Sequence, residues 1–188
     1  MLQRVGLRDT LFIAMSNYYY EEKTAYLETL AASRIGGHDL TPFLKFSLKG
    51  IEVQCRRLFA EIRTELAKAV YRVTVTDLFG RLQSPRKRVI SDRHVKLLYE
   101  LLDSGDGIPF SVLPKRVLHL YKLQNPTKAL VRDLNQLIGL GAISAERLEQ
   151  HDFMLRANLD WPAQITETEF YRRIQEMPKA KTFGFLSS

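Results

Sequence analysis

The stretch NPTKALVRDLNQLIGLGAI, residues 125–143, carries the clearest structural signal in the chain. Asn125-Pro126 predicts the start of a helix, because asparagine caps helix N-termini and proline fits the first helical position. One face of this helix carries regularly spaced apolar side chains, namely Leu130, Leu134, Leu137 and Ile138. Gly139-Leu140-Gly141 predicts its end, and the residues from 142 to 148 then predict a strand.

The elements on either side of this stretch complete an ordered pattern. Residues 91–103 read as a helix, residues 108–110 as a short extended piece and residues 111–121 as a second helix. Another strand is predicted at residues 153–159. Helix, short strand, helix, helix and β-hairpin, in this order, are typical of a winged helix-turn-helix domain.

The sequence therefore predicts a mainly α chain with four regions. A helical segment is expected at residues 1–82 and a linker at residues 83–90, where Gln83-Ser84-Pro85 interrupts the helical pattern. The winged helix with its small β-hairpin wing is expected at residues 91–161. Residues 162–188 should form a short helix and a tail, because Thr166 to Glu169 has the pattern of a capping box.

A long helix is predicted over residues 41–79, starting at Thr41-Pro42. Its apolar residues follow one another at steps of four and three, in the row Leu44, Leu48, Ile51, Cys55, Leu58 and Ile62. A row with this spacing is typical of a helix that packs lengthwise on another helix. Two partners stay open: the helix expected at residues 18–34 of the same chain, or a second copy in a homodimer formed through the 41–79 helix.

Two segments of the first half carry a family resemblance. LFIAMSNYY, residues 11–19, and GHDLTPFLKFSLKGIEVQ, residues 37–54, are similar to the segments that follow the active-site helix in proteins of the Fic (Fido-domain) family. The resemblance covers roughly residues 2–143. It implies a Fic-like C-terminal helical segment that continues into a winged helix.

Fic proteins typically transfer AMP from ATP to a hydroxyl side chain, using a motif of the form His-Pro-Phe-x-Asp/Glu-Gly-Asn-Gly-Arg. No such motif occurs in this sequence, and its four histidines stand in other contexts. By the resemblance, the motif would lie upstream of Met1. We therefore expect a non-catalytic, regulatory or binding part of a longer AMP-transferring (AMPylating) enzyme, without catalytic residues of its own.

Composition narrows the remaining classes. The chain has 188 residues, of which 45% are hydrophobic and 26% charged, as in ordinary globular proteins. No apolar run approaches the roughly 20 residues of a membrane helix, and charges near Met1 argue against a signal peptide. With Cys55 as the single cysteine, neither an internal disulfide nor a Cys-rich zinc site is predicted. We expect a cytoplasmic protein without a metal, a cofactor or a membrane partner.

The winged helix predicts binding of duplex DNA through its third helix, whose N-terminal residues meet base edges in this docking mode. The candidate contacts on that helix are Asn125, Thr127, Lys128, Val131 and Arg132. The basic run Arg86-Lys87-Arg88 is a further candidate for phosphate contacts. Lys128 and Arg132 are four residues apart and therefore share one helical face.

The charge distribution argues against this function. The chain has a net charge of +7, but residues 91–160 carry 9 basic and 9 acidic side chains. The predicted wing turn holds Glu149 and Asp152 beside Glu146, which would face phosphates unfavourably. A protein–protein interaction module with no nucleic-acid role therefore stays the alternative.

Overall fold

The structure is a computed structural model that describes residues 15–35, 37, 39–82, 85–122, 124–148 and 152–176, with side chains described in these ranges except at 85–91. The described residues are mainly helical and include a small antiparallel sheet, as the sequence predicts. The helices are α1 Met15–Glu21, α2 Lys23–Ile35, α3 Thr41–Gly80, α4 Pro85–Asp103, α5 Leu113–Val117, α6 Pro126–Gly139, α7 Trp161–Gln164 and α8 Glu167–Glu176, and the strands are β1 Ile108–Pro109, β2 Ile143–Arg147 and β3 Phe153–Ala157. None of these helices has both the length and the apolar character of a membrane span.

The chain divides into two compact units, Met1–Glu65 and Leu66–Ser188. The last turns of α3 belong to the second unit, because Tyr71 and Val75 are buried in its core. Helix α4 begins at Pro85, so that residues 85–90 of the expected 83–90 linker are helical. The predicted division of the chain into four regions stays a prediction.

In the first unit, α3 packs through aromatic side chains and a glycine. Tyr18 and Phe46 are buried, with ring centroids 5.2 Å apart, and the Tyr19 ring stacks on Tyr26 at 5.1 Å. A side chain at Gly50 would lie 2.5 Å from the Tyr18 ring, so the glycine permits the close approach of α1 to α3.

The apolar row predicted on the 41–79 helix is not the face that meets α1 and α2. Leu44, Leu48 and Ile62 are about half or more exposed, and the Cys55 side chain is exposed too. The prediction that this row packs against the helix of residues 18–34 is therefore wrong. The reason is that α1 and α2 contact the aromatic face of Phe46 and Gly50 instead.

The second unit encloses an extended apolar core. Its sheet has the strand order β1-β3-β2, and Leu155 in the central strand faces Ile108 on one side and Ala145 on the other. Two buried aromatic side chains donate hydrogen bonds to the segment between α6 and β2. Trp161 Nε1 donates to the Leu140 carbonyl at 3.0 Å. The Tyr71 hydroxyl likewise donates to the Ala142 carbonyl at 2.7 Å. These bonds fasten α3 and α7 to the segment between α6 and β2.

Candidate nucleic-acid interface

Helix α6 is amphipathic, and its sequence determines which face meets the core. Pro126 occupies the start of the helix, and the Asn125 carbonyl accepts a hydrogen bond from the Ala129 N–H at 3.2 Å. The Asn125 side chain makes no capping bond and is exposed. Six side chains of the helix are buried and form its inward face, namely Ala129, Leu130, Val131, Asp133, Leu134 and Leu137.

The outward face of α6 brings together most of the predicted contact residues. Thr127 and Lys128 are exposed, and the Arg132 side chain keeps 41% of its surface open to solvent. Asn135 is half-buried and lies on the same face, three residues after Arg132 and seven after Lys128. Asn135 was not among the predicted contact residues, although it lies two turns after Lys128 and therefore on the same helical face.

Two groups of predicted residues are placed differently. Val131 is 3% exposed, so its side chain is buried and does not belong to the outward face of α6. It follows Leu130 in the chain and lies just beyond the apolar stripe, where packing still covers it. Arg86, Lys87 and Arg88 lie in the first turns of α4, and their side chains are outside the described part of the structure.

Asp133, the acidic residue of α6, is turned inward. Its side chain has 0% exposure, and Arg93 Nε from α4 donates to its Oδ2 at 3.0 Å. Arg93 itself is 11% exposed, and its guanidinium lies over the Tyr121 ring at 5.2 Å. Asp133 falls three residues after Leu130 and four before Leu137, which is a core-facing spacing that the sequence analysis overlooked. The pair neutralises the carboxylate and ties α4 to α6.

His94 is a neutral neighbour of this ion pair. Burial lowers the pKa of His94 to about 4, although the Asp133 carboxylate acts in the opposite direction. Its Nε2 lies 3.9 Å from Asp133 Oδ1, and its ring makes an edge contact with Phe79 at 5.8 Å. Burial, together with the Asp133 charge, raises the pKa of the Tyr121 phenol. Arg93 and Asp133 are therefore the charged members of this buried cluster at neutral pH.

The acidic residues of the hairpin also have partners. Glu146 on β2 pairs with Arg156 on β3 at 2.8 Å, and Arg156 Nε donates to the Asp106 carbonyl at 2.8 Å. Asp152 accepts bonds from the Ser111 hydroxyl at 2.5 Å and from the Phe153 N–H at 2.8 Å. Burial alone would raise the pKa of Asp152, but these hydrogen bonds outweigh it and lower the pKa. Glu149 lies outside the described residues.

Charge pairing extends to the helices of the second unit. Arg116 pairs with Glu100 at 3.3 Å, and Arg72 pairs with Asp103. On α6, Arg132 Nη2 lies 3.5 Å from Asp133 Oδ1, whereas Lys128 forms no ion pair with any described residue. Residues 91–160 carry 9 acidic and 9 basic side chains, but the exposed face of α6 carries basic side chains only among the described residues.

In the described ranges, no group of three or more histidine, cysteine, aspartate or glutamate side chains is arranged to hold a metal ion. The two segments on which the Fic resemblance was predicted, residues 11–19 and 37–54, contribute to α1 and α3 where they are described. A comparison with protein-family models gives no match for this chain, and comparisons with curated proteins and with solved structures give none either.

Proposed function

We propose that this chain binds duplex DNA, with α6 as the third helix of a winged helix domain. The order α4, β1, α5, α6, β2, β3 supports this proposal, because it is the order of helices and strands in winged helix-turn-helix domains. The pairing of β1 with β3 is also compatible with that architecture. In this docking mode α6 enters the major groove, and the β2–β3 hairpin lies near the backbone.

The observation that carries the proposal is the chemistry of the outward face of α6. It presents Lys128, Arg132 and Asn135, which are side chains that donate to phosphates and base edges. It presents no carboxylate among the described side chains, because Asp133 is buried against Arg93. An amphipathic helix whose exposed face is basic and amide-bearing suits a polyanion.

The zero net charge of residues 91–160 opposes DNA binding less than the sum of charges predicts. Screening limits interactions between exposed charges to about 10 Å at 0.1 M salt, so the local surface matters more than the regional sum. Glu146 is paired with Arg156, and Asp152 bonds to Ser111. The acids near the hairpin therefore oppose phosphate binding less than free carboxylates would.

On the resemblance of residues 2–143 to Fic proteins, we assign this binding module to the non-catalytic part of an AMP-transferring protein. Binding through so few cationic contacts should be weak for a single copy, with a dissociation constant on the order of 10⁻⁴–10⁻⁶ M on unselected DNA.

The test is the variant Lys128→Ala with Arg132→Ala, titrated against a fluorescent duplex of about 20–30 base pairs at about 50 mM salt. We expect affinity to fall by at least about tenfold and the salt dependence to lose about two phosphate contacts. The matched control is Lys45→Ala with Lys49→Ala, which removes two exposed charges from α3. It should change the affinity by less than about twofold.

Equal losses in both variants would show that net charge, rather than α6, drives retention. Wild-type protein that does not bind the duplex at low salt would exclude the DNA function and favour the protein–protein module. Circular dichroism of each variant checks that the helices remain folded.

A further inference from the structure

His94 is a histidine enclosed between three helices of the second unit. It lies on α4, and 3% of its surface is exposed. The Phe79 ring of α3 makes an edge contact with the His94 ring, with a centroid distance of 5.8 Å. On the side of α6, Asp133 Oδ1 lies 3.9 Å from His94 Nε2. The imidazole therefore lies in the contact between α4 and α6, with its Nε2 atom shielded from water.

The Nε2 atom of His94 has no hydrogen-bond partner among the described residues. Its distance of 3.9 Å to Asp133 Oδ1 is too long for a hydrogen bond. The carboxylate has closer partners, because Arg93 Nε donates to Oδ2 at 3.0 Å and Arg132 Nη2 lies 3.5 Å from Oδ1. Asp133 is therefore already balanced by two guanidinium groups and does not fully compensate a third cation.

The surroundings of His94 disfavour its charged form. The charged and titratable groups around it are Arg93 on α4, Tyr121 before α6, and Arg132 and Asp133 on α6, whereas α3 contributes the uncharged Phe79 ring. Burial and the two guanidinium charges lower the pKa of His94 to about 4, although the Asp133 carboxylate acts in the opposite direction. The imidazole is therefore neutral in the folded chain at pH 7.

We propose that His94 makes the contact between α4 and α6 sensitive to acid, because its protonation introduces a third cation beside the buried carboxylate of Asp133. A protonated imidazole is costly next to the Phe79 ring, and it recovers its hydration only when the helices around it move apart. This sensitivity is a property of the helix contact and does not depend on DNA binding by α6.

The direction and the range of the pH effect follow from the two pKa values of His94. An unfolded histidine has a pKa of about 6.5, whereas the pKa of the buried His94 is about 4. Below pH 6.5 the unfolded chain binds a proton that the folded chain does not bind, so stability is lost as the pH falls towards 4. The equilibrium constant for folding should decrease about twentyfold from pH 7 to pH 5.

Carboxylates with a lowered pKa act in a different pH range. Hydrogen bonds from Arg172 and Arg173 lower the pKa of Glu169 from 4.5 to about 2. The stability that such a carboxylate contributes is present above about pH 4.5 and is lost only below it. Measurements between pH 7 and pH 5 therefore separate the effect of His94 from that of such carboxylates.

Urea denaturation followed by Trp161 fluorescence, at pH 7 and at pH 5, tests the proposal. The variant His94→Gln has a side chain that does not titrate, and it should lose most of the expected change of about twentyfold. The matched control is His119→Gln, which removes an exposed histidine from the 3-10 turn at Leu118–Leu120 and should keep the full change. Equal pH dependence of the wild type and His94→Gln would overturn the proposal.

Proton NMR of the wild-type chain gives a second measurement, which does not depend on the folding of a variant. The imidazole signal of His94 is identified by its nuclear Overhauser contact with the Phe79 ring. We expect this signal to remain that of a neutral ring from pH 7 to pH 5. A change of the signal with a midpoint near pH 6.5 in the folded chain would contradict the proposal, even if His94→Gln does not fold.

Discussion

At the scale of single residues, Asp133 changes how the charge of the whole region should be counted. When charges are counted from the sequence, the negative charge of Asp133 cancels one of the two positive charges of α6, which are Lys128 and Arg132. In the structure it is fully buried and accepts a hydrogen bond from Arg93, and the Arg132 guanidinium also lies 3.5 Å from its Oδ1. The exposed side of α6 therefore carries cations and no carboxylate, although Arg132 keeps Asp133 as a partner. A buried ion pair of this kind does little for net stability, but removal of one partner leaves an uncompensated charge in the interior.

We therefore expect Asp133→Asn to lower the free energy of unfolding by about 3 kcal/mol, because Arg93 keeps its charge while the amide no longer balances it. Urea denaturation followed by Trp161 fluorescence measures this change. Asp103→Asn, which removes the carboxylate of an exposed pair with Arg72, is the matched control and should cost less than about 1 kcal/mol. Equal effects of the two substitutions would show that Asp133 is not a buried partner of Arg93.

At the scale of elements, the turn between α4 and β1 depends on two glycines with different surroundings. Gly105 has φ +66° and open space where a side chain would begin. Gly107 has φ +93°, and an added Cβ would lie 2.7 Å from the Leu155 carbonyl oxygen. The close approach at Gly107 lets β1 pair with β3, which completes the sheet beside α6.

Gly107→Ala should accordingly destabilise the second unit by about 3 kcal/mol, combining left-handed backbone strain with a clash against a backbone atom. Gly105→Ala shares the positive φ without the clash and should cost about 1 kcal/mol. The difference between their urea midpoints is the measurement. Identical midpoints would mean that β1 does not pass so close to β3.

Helix α3 was predicted from the sequence, but the face through which it packs was not. Its existence was predictable, since residues 41–79 lack a proline after Pro42 and carry an apolar period of 3.6. The identity of its packing face was not. Phe46 and Gly50 were less conspicuous than the leucine row, yet shape complementarity between the Tyr18 ring and Gly50 selects their face.

At the scale of the whole molecule, the two compact units have very different cores. In the first unit, Tyr18 and Phe46 are the large apolar side chains that are buried among the described residues. The second unit buries apolar side chains from α3, α4, α6, the sheet and α8. Because stability rises with buried apolar area, the first unit should be the less stable one.

We expect two transitions in urea. Trp161 is the only tryptophan of the chain and is 1% exposed in the second unit, so its fluorescence reports that unit. Helical circular dichroism reports both units and should begin to fall at lower urea than the Trp161 signal. Coincident curves from the two probes would indicate one cooperative unit instead.

The sequence by itself determined the elements of this protein. The helix starts at Thr41-Pro42 and Asn125-Pro126, the paired strands of residues 143–157 and the cap at Thr166 depend on local sequence, and each occurs in the structure. The Asn125 side chain, however, makes no capping bond, and the Glu169 carboxylate bonds to Arg172 and Arg173. Helix α5 is shorter than predicted and continues as a 3-10 turn at Leu118–Leu120, and α7 was not predicted. These short pieces depend on neighbours such as the core around Trp161, which a local pattern does not contain.

The candidate site was predictable only in part. Lys128, Arg132, Thr127 and Asn125 belong to the exposed surface of α6 as expected, because helical spacing relates them directly. Tertiary structure decided that Val131 and Asp133 are buried and that Leu44, Leu48 and Ile62 of α3 are not. The physical reason is that spacing specifies which residues share a face, whereas burial depends on which other surface that face meets.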